Sequence, residues 1–442
     1  MLYQPFPFSK STGTGKLGQP SGPSLVLIAG IFIAFAFAVH GQDSIPEEPL
    51  PSSADDTIAQ TDAAPSQPTT PPGGVDSRNL TLGGETVSSG EIQSGEPRRF
   101  HYSLRLTIRG VYDDNIFLSH TNRVSDYYFA IEPMITVGFG DIEGRGGNYL
   151  RLDYMPSVIL FVDHSDQDAV EQLILLEGQY RFSRLTLSLS QEVAILDGTN
   201  LNSTLDTTGL QANLDVSGRT RLNLFITRLR ANYELSGKLF LTGEFDASIY
   251  DYPSFISSQI ISGGLYINYN WTPKLMVGIG GTFGWDLVED PSVDQTFEQA
   301  NFRINYQVTG KLGLSASVGV EFRQFDDHRS DYISPVFELG AIYHPFDGTT
   351  VTLTAGRRIL NSGYFADQDF ATTYVVGRIQ QRLFRRVYLG LAVGYENSDY
   401  FATTSGVSAT RSDDYYFIEP SVDVLITRFL SVGAYYLHRP PW

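Results

Sequence analysis

Residues Phe100–Arg109 have the sequence FHYSLRLTIR, in which apolar and polar side chains alternate. The apolar positions are Phe100, Tyr102, Leu104, Leu106 and Ile108, and the polar ones are His101, Ser103, Arg105, Thr107 and Arg109. Successive side chains of a β-strand point to opposite faces. The run therefore predicts a strand with one apolar face and one polar face.

The same alternation recurs in segments of about ten to thirteen residues as far as the end of the chain. Such repeated strands are typical of an all-β, antiparallel up-and-down transmembrane β-barrel of about 16–18 strands, with lipid outside and water inside. The predicted strands are 100–112, 127–139, 149–162, 170–182, 185–195, 223–235, 239–251, 259–271, 275–287, 297–308, 312–325, 332–344, 350–359, 371–383, 387–397, 415–427 and 430–439.

Short and long connections also alternate along the chain. The predicted short turns include Thr272-Pro273-Lys274 and Thr309-Gly310-Lys311, whereas the long connections, such as 196–222, are acidic. In bacterial outer-membrane barrels the short turns face the periplasm and the long loops face outward. This pattern predicts a bacterial outer-membrane location.

The predicted strand count is odd, although single-chain bacterial barrels have an even count. Either a strand has been miscounted or the closing strand of the 100–442 barrel is missing, and we expect the second. Prolines also lie inside predicted strands, for example Pro133 and Pro420. Because proline cannot donate to a β-ladder, we expect β-bulges at these positions.

The N-terminal part of the chain differs in composition from the barrel. Leu25–Ala38, LVLIAGIFIAFAFA, is apolar without alternation and too short for a transmembrane helix, which needs about 20 residues. We predict a signal peptide at 1–38, with an uncleaved membrane anchor as the alternative. Residues 39–99 are rich in Pro, Ser and Thr and predict a disordered periplasmic linker.

Composition and motifs narrow the function classes. The chain has no cysteine and a formal net charge of -18, so no thiolate site and no nucleic-acid partner are expected. The histidines are scattered and no GxSxG or HExxH motif occurs, so we predict neither an enzyme nor a cofactor. The acidic loops 163–168 and 326–331 lack the glycine and distal glutamate of a calcium loop, so we predict solvated loops and no metal.

Charged residues on the polar faces are the candidate functional residues, because they would line the lumen. An aqueous lumen with opposed charges would shape a field for permeating solutes, whereas ion pairs that fill the interior are the alternative. Barrels of 16–18 strands leave a channel, which favours the pore. The candidates are Arg105, Arg109, Arg151, Asp153, Glu177, Arg181, Arg228, Arg230, Glu244, Arg303, Glu321, Arg323, Arg358, Arg378 and Arg382.

One set of residues resembles a known family. Tyr112–Phe117, YDDNIF, follows the first strand, and the next strand enters from its loop through Asp126–Pro133, DYYFAIEP. From about 100 to 439 the chain resembles the β-barrel porin type 2 family of bacterial outer membranes. The resemblance implies a channel or scaffold linked to exopolysaccharide export, and a final strand that this chain lacks.

The sequence thus predicts a porin-like channel or guide for hydrophilic solutes, with a polysaccharide among the candidates. Its expected partners are outer-membrane lipid, the barrel assembly machinery and the solute. A non-conducting structural or adhesive barrel is the first alternative, and an outer-membrane barrel hydrolase is the second.

Overall fold

The computed structural model describes residues 100–119, 121–142, 147–199, 215–216, 218–326, 331–427 and 429–439, together with the backbone of 27–37. Among these residues no helix is long and apolar enough to cross a membrane. The strands are β1 Leu27–Phe37, β2 Phe100–Asp113, β3 Asp126–Gly140, β4 Tyr149–Phe161, β5 Ala169–Arg181, β6 Leu185–Gly198, β7 Thr220–Glu234, β8 Leu239–Asp251, β9 Ser258–Thr272, β10 Leu275–Val288, β11 Gln295–Thr309, β12 Leu312–Phe325, β13 Tyr332–Tyr343, β14 Thr349–Asn361, β15 Gln368–Leu383, β16 Val387–Ala402, β17 Ser412–Thr427 and β18 Leu430–His438.

Each strand from β2 to β17 pairs antiparallel with the next strand in the sequence. Strand β1 pairs antiparallel with both β18 and β2. The sheet therefore closes into an up-and-down barrel without a free edge, as a membrane-spanning sheet requires.

The seventeen strands between Phe100 and His438 confirm the predicted fold class and every predicted strand. The observed strands run up to five residues beyond the predicted bounds, mainly on the long-loop side. The β15–β16 hairpin, for example, stays paired as far as Gln368 and Ala402. These extensions carry polar residues, so the alternation that marks a strand in the sequence is lost there. Backbone pairing nevertheless continues beyond the lipid-facing part of the strand.

A segment from outside the 100–442 region lies at the seam of the ring. The 100–442 region supplies seventeen strands, and in the structure the backbone of Leu27–Phe37 lies between β18 and β2 as an eighteenth strand. That the 100–442 region lacks its own closing strand stays a prediction. Apart from the backbone of Leu27–Phe37, the predicted signal peptide (1–38) and linker (39–99) lie outside the described residues. Leu27–Phe37 cannot be both a strand of the mature barrel and part of a signal peptide that is removed. The signal peptide stays a prediction.

The strand prolines are accommodated without the expected bulges. Pro133 pairs with Leu106 of β2, and on its other side the β3–β4 ladder is interrupted and then resumes in the same register. Pro420 pairs with Leu391 of β16 in the same way, opposite a gap in the β17–β18 ladder. Proline lacks only the N–H group, so losing pairs on one side is enough to fit it into the sheet.

The exterior of the barrel is apolar and aromatic. On β9 and β10 the outward positions include Leu265, Ile267, Trp271, Ile279 and Trp285, all exposed. An apolar outer belt on a closed antiparallel barrel is the signature of a transmembrane barrel of the bacterial outer membrane. The protein is therefore an outer-membrane β-barrel, with its functional surface inside the barrel or at its rims.

Candidate functional site: the barrel interior

The inner face of the barrel is not uniform. Alternation places a polar set on β7–β12 and a mainly apolar set on the outer halves of β4–β7. Buried ion pairs form two further groups, on β2–β4 and around β12. Only some of these surfaces meet water, and the water-accessible surface is the candidate path for a solute.

We call Arg228, Arg230, Glu244, Asp246 and Arg303 the open polar wall. Arg228 and Asp246 face each other across β7 and β8, with Nε–Oδ1 at 3.8 Å and side chains 37% and 36% exposed. Arg230 Nε lies 4.0 Å from Glu244 Oε1, again between directly paired residues. The Arg228–Asp246 pair is loose and solvated, and Arg230 is partly exposed, so the field of these charges acts on solutes that enter the lumen.

Arg303 makes the tight contact of this wall. From β11 it reaches over β10 and β9 to Glu244, with Nη1–Oε1 at 2.7 Å and Nη2–Oε2 at 2.8 Å. Its guanidinium stacks 3.3 Å above the Tyr266 ring. Gly280 makes this possible, since a Cβ there would lie 2.3 Å from Tyr266 Cδ1. The absence of a side chain at Gly280 lets the Tyr266 ring lie flat against the strand, where the Arg303 guanidinium stacks on it.

Neutral polar groups continue the same wall. Asn268 Nδ2 donates to Thr242 Oγ1 at 2.9 Å, and Thr242 donates to Asn232 at 2.6 Å. The Tyr266 hydroxyl lies 2.8 Å from Thr282 Oγ1. Asn268, Thr242 and Tyr266 are buried, so water reaches the half-buried Asn232 and Thr282 and the flanking charges. Such a surface suits hydrated polar solutes.

A buried cluster surrounds Arg323 on β12. Its Nε donates to Glu321 Oε1 at 2.8 Å, and its Nη1 lies 3.0 Å from Asp286 Oδ2 and 3.2 Å from Asp369 Oδ2. Gln295 bridges the cluster, accepting from Arg323 at 3.0 Å and donating to Asp369 at 3.1 Å. The arginine is 3% exposed, so this cluster ties β10, β11, β12 and β15 together rather than facing solute.

A second buried group joins β2, β3 and β4. Arg109 pairs with Glu132, with Nε–Oε2 at 3.1 Å, and Ser157 donates to the same carboxylate at 3.3 Å. Arg151 pairs with Asp153, with Nε–Oδ2 at 2.8 Å. All these side chains are buried, so the ion pairs here fill the interior and do not face solute. This matches the alternative interpretation, in which the lumen charges form buried ion pairs.

The apolar inner surface lies on the outer halves of β3–β7. Its buried members are Met134, Met155, Leu173, Leu175, Ala194, Leu196, Leu222, Leu224 and Ile226. Val216 from the β6–β7 connection and Tyr252 from the β8–β9 connection pack in the same cluster. Side chains from these two connections therefore pack against the inner face on this side of the barrel.

Asp215 fixes the β6–β7 connection to the opposite part of the barrel. Its carboxylate accepts from Ser362 Oγ at 2.6 Å, from the Gly363 amide at 2.5 Å and from the Tyr400 hydroxyl at 3.1 Å. Burial raises the pKa of the Asp215 carboxyl, and these hydrogen bonds and Arg411 only partly offset that effect. The contact joins residues about 150 to 185 positions apart in the chain.

The remaining predicted lumen residues fall into two groups. Four are half-buried and lie outside the open polar wall: Arg105, Glu177, Arg358 and Arg378. Arg105 Nη2 lies 2.8 Å from Met134 Sδ. Arg181 and Arg382 are exposed at the ends of β5 and β15, on the short-turn rim. The structure thus brings four of the predicted residues, Arg228, Arg230, Glu244 and Arg303, together at the open polar wall and adds Asp246 to them. It puts Arg109, Arg151, Asp153, Glu321 and Arg323 in buried pairs.

Sequence reasoning missed Asp215, Asp286 and Asp369. Asp286 had a usable signal, because alternation from Gly284 puts it on the inner face of an extended β10. Asp215 and Asp369 fell in predicted loops, where no periodicity marks an inward residue.

The acidic loop 163–168 is organised by hydrogen bonds. Asp126 accepts from the His164 amide at 2.9 Å, and its Oδ2 lies 2.9 Å from His164 Nδ1. Asp168 Oδ1 accepts from the Phe161 amide at 2.7 Å. Within the described part of the chain, no group of three or more His, Asp or Glu side chains converges in a way that could hold a metal ion. Residues 327–330 of the second predicted acidic loop lie outside that part.

Comparison with known proteins identifies architectural neighbours only. No family model matches, and no curated protein matches in sequence. Among solved structures, an anion-selective porin from Comamonas acidovorans is 15% identical, covering 76% of this chain and 100% of that one, with a TM-score of 0.33. OccK11 (OpdR) of Pseudomonas aeruginosa is 12% identical, covering 78% and 96%, with a TM-score of 0.35. The copper transporter OprC is 8% identical, covering 96% and 82%, with a TM-score of 0.38. The barrel assignment rests on the strand pairing of this chain, and these scores add nothing to it.

Proposed function

We propose that this barrel is a porin-like channel for hydrophilic solutes, with the open polar wall as the solute path. The observation that carries the proposal is the contrast in water access inside the barrel. Arg228 and Asp246 are more than a third exposed on the inner face, whereas Arg109, Arg151 and Arg323 are sealed in ion pairs. A solid plug would bury both sets alike.

Single-channel recording in planar bilayers tests the proposal. Refolded full-length protein should give discrete conductance steps, because an aqueous path of polar groups lines one side of the lumen. Heat-modifiable gel migration should confirm in the same preparation that the barrel is folded. Folded protein without conductance steps would remove the channel and favour a structural or adhesive barrel.

We further propose that neutral, hydroxyl-rich solutes such as saccharides are the preferred cargo. The wall beside Glu244 presents the half-buried amide of Asn232 and hydroxyl of Thr282, which can exchange hydrogen bonds with sugar hydroxyls. The buried side chains of Thr242 and Asn268 support them from behind. The sequence resemblance to the β-barrel porin type 2 family, which implies a link to exopolysaccharide export, also supports a saccharide cargo.

Liposome swelling with sugars of increasing size tests the cargo. Uptake of mono- and oligosaccharides should exceed uptake of zwitterionic solutes of equal size. Equal rates at every size would leave a channel without saccharide preference. We propose no catalytic role, and we expect insertion by the barrel assembly machinery, as for other barrels of this location.

A further inference from the structure

Cations are concentrated on the short-turn rim of the barrel. Of the five lysines in the chain, two precede the apolar N-terminal segment and the other three lie in short turns. With three arginines they form what we call the basic turn rim, in which every side chain is exposed: Arg184, Lys238, Lys274, Lys311, Arg385 and Arg386. The long loops on the opposite rim are acidic, with Asp163, Asp166, Asp168, Glu289, Asp290 and Asp294.

Exposed aromatic rings lie beside these cations. The rings are Phe182, Trp271, Phe346, Phe384 and Phe429, between 48% and 89% exposed. Lys311 Nζ donates to Pro345 O at 2.9 Å, which holds the ammonium against the turn that carries Phe346. Aromatic rings beside cations on a barrel rim are typical of the level where bilayer meets water.

The β15–β16 turn shows that these side chains are kept at a conformational cost. Phe384 and Arg385 both have positive φ, 49° and 64°, a region that glycine or asparagine occupies more easily. Phe384 is nevertheless 89% exposed and packs into no core. A bulky ring and a cation thus occupy two left-handed positions without packing inside the protein. This indicates that both side chains contact something outside the protein.

We propose that the basic turn rim binds the headgroups of anionic phospholipids in the periplasmic leaflet of the outer membrane. Short turns face the periplasm in this class of barrel. Each exposed lysine or arginine near a membrane surface attracts anionic lipid, and the neighbouring rings enter the interface. The inference is independent of solute conduction, since it concerns the outside of the barrel.

The acidic linker is the competing occupant of this rim. Residues 39–99 carry ten acidic and three basic residues, so charge alone would also attract that segment. The aromatic rings favour lipid, because the linker offers few apolar groups for five exposed rings. Phe182, Trp271 and Phe384 lie within three residues of Arg184, Lys274 and Arg385 in the chain, and Lys311 contacts the turn that carries Phe346. This pairing of cation and ring suits a headgroup with its acyl chains.

Two tryptophans at opposite rims provide the test. Trp271 lies outward at the short-turn end of β9, and Trp285 lies outward near the long-loop end of β10. Full-length protein that keeps only one of them, with the others changed to phenylalanine, is reconstituted in phosphatidylcholine vesicles. Brominated phosphatidylglycerol or brominated phosphatidylcholine is then added, and quenching gives the relative affinity for the anionic lipid at each rim.

We expect a several-fold preference for phosphatidylglycerol at Trp271 and none at Trp285. The triple change Lys238→Gln, Lys274→Gln and Lys311→Gln should remove the preference, and soluble glycerol phosphate should not compete. Equal affinities at both rims, or a preference that survives the triple change, would overturn the proposal. A preference that emerges only after deletion of residues 43–97 would also overturn it, because the linker would then be the occupant.

Phe384→Gly provides a second measurement that does not depend on fluorescence. Glycine relaxes the left-handed turn, so the variant should unfold no earlier than the parent in detergent. In phosphatidylglycerol vesicles it should lose part of the lipid-dependent rise in unfolding temperature. An unchanged lipid-dependent rise would contradict a role for this turn.

Discussion

Removing the charge of Glu244 should make the channel more anion-selective. In the open polar wall, Glu244 and Asp246 partly neutralise Arg228, Arg230 and Arg303. Glu244→Gln keeps the size of the side chain and an oxygen for Arg303, but removes one negative charge. An anion that passes Arg303 then meets a guanidinium that has lost its directly bonded carboxylate, with only Asp246 left nearby.

The size of the effect follows from Coulomb's law. A unit charge about 6 Å from a permeating ion contributes about 0.7 kcal/mol in water. Screening at 0.1 M salt, with a Debye length of about 10 Å, reduces this to about 0.4 kcal/mol. Removing the charge favours chloride and disfavours potassium by this amount each, so the two contributions add in the permeability ratio. The chloride-to-potassium permeability ratio should therefore rise about four-fold, or about ten-fold at low salt, and the change should shrink at 1 M salt.

Reversal potentials under a potassium chloride gradient measure this ratio. Glu298→Gln is the matched control, because Glu298 lies on β11 with the opposite parity to Arg303 and is exposed outside the lumen. It removes the same charge from the protein without touching the wall. An unchanged ratio in Glu244→Gln, or an equal change in the control, would refute the assignment of this wall as the solute path.

Three further results are expected. Arg323→Met should lower the free energy of unfolding by about 3–5 kcal/mol in denaturant titrations, because three buried carboxylates lose their partner; Arg382→Met at the exposed rim should change it little, and equal losses would contradict the cluster. Because burial raises the pKa of Asp215, the docked carboxyl binds its proton more tightly than a free one, so docking should be strongest below the ordinary aspartate pKa and weaken as pH rises through the raised value. Hydrogen exchange at the Gly363 amide, corrected for its intrinsic rate, should show this trend in the parent and lose it in Asp215→Asn; a trend that persists in the variant would refute it. Mass spectrometry of protein from the outer membrane should show that Leu27–Phe37 is absent, as the signal-peptide prediction requires; its retention would instead make it the eighteenth strand of the native barrel.

The sequence by itself determined the fold class and the orientation of the side chains. Period-two alternation is a property of a single strand, so Leu312–Phe325 predicts a strand with one lipid-facing and one lumen-facing side before any partner is known. The turns at Lys274 and Lys311 are equally local, which is why seventeen strands could be placed from the sequence alone.

Only the tertiary structure decided which inward charges meet water. Arg303 and Arg323 lie on the inner faces of the adjacent strands β11 and β12. Arg303 nevertheless lines the open polar wall, whereas Arg323 is buried among carboxylates from β10, β12 and β15. That difference depends on strands that do not pair with the one in question, such as β15, whose Asp369 lies 46 residues further along the chain than Arg323. Alternation fixes the face of a side chain, whereas its contacts with non-adjacent strands are fixed only when the sheet curves into a barrel.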